Sequence, residues 1–166
     1  LYYKIYIDQI SYLLNNLGIN INTVPVLDIA REKTSKVIGD RSFSKNKKIV
    51  NIFGNFTIDQ FHKNNIATVI KHIPGHGLGK VDSHYKLPII NNSHQYLIKN
   101  DFLTFKNKNS LFAMTGHLLF KKIDNLNSVT HSKKIIKLIR NKINFKNLIM
   151  SDLSLIHISE PTRLSW

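Results

Sequence analysis

The 166-residue sequence predicts an α/β fold of about four parallel β/α units, the arrangement of a partial (β/α)8 barrel. Two observations predict it. Short apolar runs alternate with amphipathic stretches of helical period, and the long polar loops come after the runs rather than before them. Those loops carry Asp28, Lys71, His72, His117 and Asp152, and a β/α barrel keeps its chemistry at the C-terminal ends of its strands.

The elements follow in order. The chain opens at Leu1 in a helical pattern with Ile5, Tyr12, Leu13 and Leu17 as its expected apolar side, stopped by Gly18. A start of this kind is expected inside a longer chain. Residues 19–27 form an apolar run read as a strand, with a polar exit loop through Ser42. Ser44 is the candidate cap of a helix running to about Asn64, whose expected buried face is Ile49, Ile52, Phe53, Phe56 and Phe61. Further strands are expected at 66–70, 111–115 and 148–150, and helices near 95–105 and 132–143. A loop rich in Gly and His fills 71–92.

Composition narrows the function. With 42% apolar residues the chain reads as one globular domain, and no apolar run approaches the ~20 residues of a membrane helix. The opening residues, with Lys4 and Asp8 among them, do not form a signal peptide. Cysteine is absent, which excludes disulfides and thiolate metal sites. The formal charge of +14 would suit nucleic acid, but the basic residues are 20 Lys against 4 Arg, scattered along the chain. Arg supplies the bidentate phosphate and base contacts. Neither nucleic acid nor membrane is therefore expected as a partner.

The most informative segment, residues 71–88, reads KHIPGHGLGKVDSHYKLP. It closely resembles the K-H-[FI]-P-G-H-G…D-S-H…P signature of family 3 β-N-acetylhexosaminidases. PVLD at 25–28, IGDRSFS at 38–44 and Ser151-Asp152 match the same family in order and approximate spacing. The resemblance spans roughly residues 8–152, and the joint pattern is specific where any single piece would be weak.

The resemblance implies a partial TIM barrel and an enzyme that removes terminal non-reducing β-N-acetylglucosamine with retention. Its expected substrates are peptidoglycan-derived muropeptides, its expected setting the bacterial cytoplasm, and its expected state a monomer when full-length, with no cofactor and no metal. Glycoside cleavage needs a proton donor for the leaving oxygen and a group facing the anomeric carbon. The donor is usually a carboxylic acid, but the two Glu, Glu32 and Glu160, sit in no convincing site loop. The resemblance instead implies His84 as general acid/base, oriented by Asp82, and Asp152 as the nucleophile. It also implies Arg41, Lys71 and His72 as residues that hold the sugar hydroxyls, and a mobile loop hinged at Gly75, Gly77 and Gly79. His117 matches a position near the site, where packing is an equal reading.

Two other classes compete. His72, His76, Asp82 and His84 could form a metal site. A non-catalytic sugar-binding relative would have lost the nucleophile or the Asp82/His84 pair, and both are present.

From Leu153 the chain contains no Lys and no Asn, and this stretch resembles the translation of a sequencing adapter. The expected organisation is thus residues 1–152 as part of a family 3 N-terminal barrel domain and residues 153–166 as a non-native tail. The family's Asp-Gln-Glu-Gly-Gly segment and its remaining barrel units are missing from the sequence, so the 166-residue piece alone is expected to be inactive.

Overall fold

The computed structural model describes residues 1–32, 38–81 and 87–152. Asp82 and His84 lie outside the described residues, as does the stretch from Leu153 onward. Helix α1 (Tyr2–Asn16) leads into strand β1 (Ile21–Asn22), and helix α2 (Lys47–Lys63) into strand β2 (Ala67–Ile73). A short strand β3 (Ile89–Ile90) and helix α3 (His94–Lys99) precede β4 (Phe112–Thr115) and β5 (Leu119–Phe120). Helix α4 (Lys133–Leu138) and β6 (Leu148–Ser151) close the described chain. The main sheet runs β1-β2-β4-β6, each pair parallel, so chain order equals spatial order, as in an arc of a (β/α)8 barrel.

Both faces of this sheet are covered. Val69 and Ile70, neighbours that point to opposite faces of β2, are each fully buried. The larger core joins Ile70 and Ile73 to Val50 and Ile58 of α2 and to Phe102 and Phe105. Among the described residues, no helix is long and apolar enough to cross a membrane.

The expected helices form, but two of them turn a different face inward. In α1 the residues packed on the interior are Tyr3, Ile7, Ile10 and Leu14, spaced at one side of a 3.6-residue turn. Ile5, Tyr12, Leu13 and Leu17 are exposed. In α2 the buried stripe is Val50, Gly54, Thr57, Ile58 and Phe61, while Ile49, Ile52, Phe53 and Phe56 stay at the surface. The reason is Gly54: a side chain there would collide with the Leu27 side chain, so the helix lays its thinnest point against the segment that follows β1. The cap of α2 is Asn46, whose side chain accepts from Lys48 N at 2.9 Å, and Ser44 instead accepts from Asn46 N at 3.0 Å. Phe53 and Phe56, with Tyr3 and Phe43, form an aromatic cluster between α1 and α2.

The strands differ more. The 19–27 run pairs as a strand only at Ile21–Asn22, with one further bridge from Val26 to Lys71. Pro25, which has no N–H to donate, interrupts the ladder between them. Conversely, β2 extends to Ile73, so Lys71 and His72 lie on a strand and not in a loop. The small parallel pair β3–β5 has no counterpart in the periodicity.

Candidate active site

Four chain segments end together at the C-terminal edge of the sheet. The register of β2 against β4 runs Lys71↔Met114, then Ile73↔Thr115, so His72 is left over as a bulge. A bulge re-aims its side chain, and the His72 ring meets Asp28 in the loop after β1. Asp28 is buried, 1% exposed, and accepts three hydrogen bonds: from His72 Nδ1 at 2.7 Å and His72 N at 3.1 Å on Oδ2, and from His76 N at 2.6 Å on Oδ1. Burial alone would raise its pKa. The His72 imidazole beside it, the ring hydrogen bond, and the field and backbone N–H of His76 outweigh that, and hold the carboxyl below the usual range.

An ionised carboxylate only accepts, so His72 Nδ1 carries a proton and Nε2 faces the other way. There it meets Asp152, the residue just past β6, with Nε2 4.0 Å from Oδ2. Asp28, His72 and Asp152 thus stand in line from the buried floor to the partly exposed edge.

Pro74 and Gly75 turn the chain after β2, with Gly75 N donating to His72 O at 2.8 Å. The glycines that follow are points of close approach. A Cβ on Gly77 would run into the Ile29 carbonyl oxygen, and one on Gly79 would press on the His76 ring. His76 is buried, and burial, the largest influence, lowers its pKa against the opposing field of Asp28. Neither of its ring nitrogens has a hydrogen-bond partner among the described residues.

The Glycosyl hydrolase family 3 N terminal domain matches residues 6–164. The chain belongs to glycoside hydrolase family 3. It is 32% identical over 140 residues to a beta-hexosaminidase of Actinobacillus pleuropneumoniae, covering 82% of this chain and 40% of that protein. It is 30% identical over 155 residues to beta-hexosaminidase A of Pseudoalteromonas piscicida, covering 84% of this chain and 26% of that protein. The chain therefore spans less than half the length of these curated relatives. Among solved structures, a family 3 beta-N-acetylglucosaminidase from Paenibacillus superposes with a TM-score of 0.84 at 30% identity, over 91% of this chain and 30% of that one. Native NagZ from Neisseria gonorrhoeae superposes at 0.82 and 29% identity, over 93% of this chain and 46% of that one. The fold is accordingly a partial family 3 barrel, as the sequence predicts.

Within this family 3 chain, Arg41 sits at the end of a short 3-10 turn, Gly39–Arg41. Ser42 pins that turn: its hydroxyl donates to Asp28 O at 2.6 Å and accepts from Ala30 N at 3.1 Å. Lys71 is half-buried and donates to Thr23 Oγ1 at 3.4 Å. Burial lowers the Lys71 pKa, Arg41 lowers it further, and Asp152 and Asp28 oppose both. Arg41 and Lys71 line a groove of about 400 Å³ together with aromatic and apolar residues of α1 and the segment 22–26. Neither His72 nor Asp152 lines that groove, so its bulk is not the place where a sugar would meet Asp152.

The structure thus brings Lys71, His72 and Asp152 together and sets Arg41 beside Lys71. His117 is half-buried; burial lowers its pKa, His131 adds to that, and Asp152 opposes it. Its ring meets the edge of His131 at 6.3 Å. Asp28, placed by the sequence in a strand-end loop but given no role there, is the residue that anchors His72. For the metal reading, no three potential ligands come together among the described residues. His72 Nδ1 is already engaged by Asp28.

Proposed function

We propose that the protein containing this chain hydrolyses terminal β-N-acetylglucosamine residues with retention, from muropeptide fragments of peptidoglycan in the bacterial cytoplasm. The observation that carries the reading is the Asp28–His72–Asp152 line. It presents one carboxylate at a strand end with a fixed imidazole nitrogen 4.0 Å away, in a family whose solved relatives include a beta-N-acetylglucosaminidase. NagZ from Neisseria gonorrhoeae has also been solved with N-trifluoroacetyl-D-glucosamine, which supports the class of sugar.

In this mechanism Asp152 attacks the anomeric carbon while His84, oriented by Asp82, gives its proton to the departing oxygen. The glycosidic bond breaks as the ester to Asp152 forms. His84 then takes a proton from water, whose oxygen displaces Asp152 and releases the sugar with its original configuration. His72 Nε2, Lys71 and Arg41 hold the sugar hydroxyls, and they do so beside a carboxylate that supports developing positive charge at the anomeric carbon.

The test is His84→Ala in the intact protein. Hydrolysis of an N-acetylglucosaminide with a poor leaving group should fall about 10² to 10⁴-fold, the range of general acid/base catalysis. An activated aryl glycoside should suffer less on the bond-breaking step. Wild-type rates on both substrates would refute the assignment of His84.

A further inference from the structure

We propose that Asp101, held by Arg31, is a positioning residue for this glycosidase reaction, fixing the turn that carries His72. The inference rests on the reading of His72 as a residue that holds the sugar. Asp101 opens the 3-10 segment Asp101–Phe105, far from Asp152 in sequence. It is 2% exposed. Its Oδ2 accepts from an Arg31 terminal nitrogen at 2.9 Å, and its Oδ1 has no hydrogen-bond partner among the described residues.

A buried carboxylate with one bare oxygen is a costly choice for packing alone, since an apolar residue of similar size would avoid the desolvation. Its surroundings give it a use. Gly75 lies directly on it: a Cβ on Gly75 would stand 3.0 Å from the Asp101 Cβ and 3.4 Å from its carbonyl oxygen. Gly75 has φ +139, a conformation that side chains disfavour, so this residue is fitted to the turn and to Asp101 at once. The same Gly75 closes the turn back onto His72 O, and the next residue, His76, donates its N–H to Asp28.

The contacts therefore form a ring. Asp28 and Arg31 leave β1 on one loop, three positions apart. Asp28 grips the His72–His76 turn from one side through the ring and backbone of His72 and the backbone of His76. Arg31 grips it from the other, through Asp101 beneath Gly75. Release of the second grip leaves the turn held on one side only, and His72 Nε2 loses its fixed distance from Asp152. A displacement of about 1 Å at such a group is enough to cost catalysis substantially.

The experiment compares Asp101→Asn, Arg31→Lys and Arg31→Met in the intact protein, reading kcat and KM on an N-acetylglucosaminide and the downfield proton signal of His72 Nδ1–H by NMR. Asp101→Asn keeps the shape and weakens the tether from an ion pair to a neutral hydrogen bond from Arg31 to the amide oxygen. The expected result is a fall in kcat of about tenfold with little change in KM and no matching loss of folded protein. The His72 proton signal should broaden or shift. Arg31→Lys should retain more kcat than Arg31→Met, and this pair decides the matter if Asp101→Asn does not fold. Wild-type kcat with an unchanged His72 signal in the variants, or a kcat loss that only tracks the unfolded fraction, would overturn the proposal. Should the intact wild-type protein hydrolyse no N-acetylglucosaminide, the functional reading fails, and the His72 signal still decides whether Asp101 positions the turn.

Discussion

Asp28→Asn perturbs the site at its base. Asn keeps the volume of Asp but replaces one oxygen with an NH2 group, which only donates. In one orientation the NH2 faces His76 N–H; in the other it faces both His72 N–H and His72 Nδ1–H. Either way a buried donor is set against a donor. An unsatisfied buried polar group costs about 1–3 kcal/mol, and the lost charge-assisted bond to His72 adds to that, giving an expected destabilisation of about 2–4 kcal/mol. The kinetic effect comes through His72, whose Nδ1 proton is no longer fixed and whose Nε2 no longer holds its place 4.0 Å from Asp152. A fall in kcat/KM of about 10²-fold is expected for a misplacement of about 1 Å. Urea denaturation and initial rates on a chromogenic N-acetylglucosaminide in the intact protein measure the two effects. A variant within about 0.5 kcal/mol of wild type and with unchanged kcat/KM would refute the reasoning that Asp28 organises the site.

Two further outcomes are expected. Gly77→Ala should destabilise the protein by about 1–3 kcal/mol and depress activity, because its Cβ meets the Ile29 carbonyl and the backbone must shift; thermal unfolding and turnover that match wild type would contradict the close approach. Burial pushes the Asp101 carboxyl up to about 6 against the pull of Arg31, with Asp28 adding to the rise. A folded pKa above the unfolded value of ~3.9 means that the protonated form favours the fold, so this group's contribution falls by about 2 kcal/mol as pH rises from ~4 to ~6, and by about 3 kcal/mol across the whole titration. In Asp101→Asn that fall should vanish, and a urea midpoint with the same pH slope as wild type across this window would contradict it.

The fold was legible because parallel strands buried on both faces read as continuous apolar runs, and because helices of fifteen or seventeen residues carry a strong period. Which face of α1 and α2 turns inward was not legible. Both helices are apolar on more than one side, and the choice depends on a partner, Leu27 against Gly54, that lies far away in sequence. Strand ends were blurred for a similar reason: Pro25 cuts a run that hydrophobicity alone would continue, and the polar Lys71 and His72 extend a run that hydrophobicity would stop. The motif around His72 and Asp152 pointed to residues that the fold gathers at the strand ends. Asp28 was legible as a strand-end residue but not as the anchor of His72, and Asp101 is an acidic residue in an ordinary position that only the three-dimensional contacts distinguish from a cap or a surface charge.

Covalent trapping tests most directly whether Asp152 forms the bond to the sugar. The intact protein would be incubated with a 2-deoxy-2-fluoro or similarly slow glycoside, digested, and sequenced by mass spectrometry, with the anomeric configuration of the product followed in parallel. One glycosyl label per chain, on Asp152, and a product of retained configuration are expected. A label on another residue, or an inverted product with no label, would contradict it.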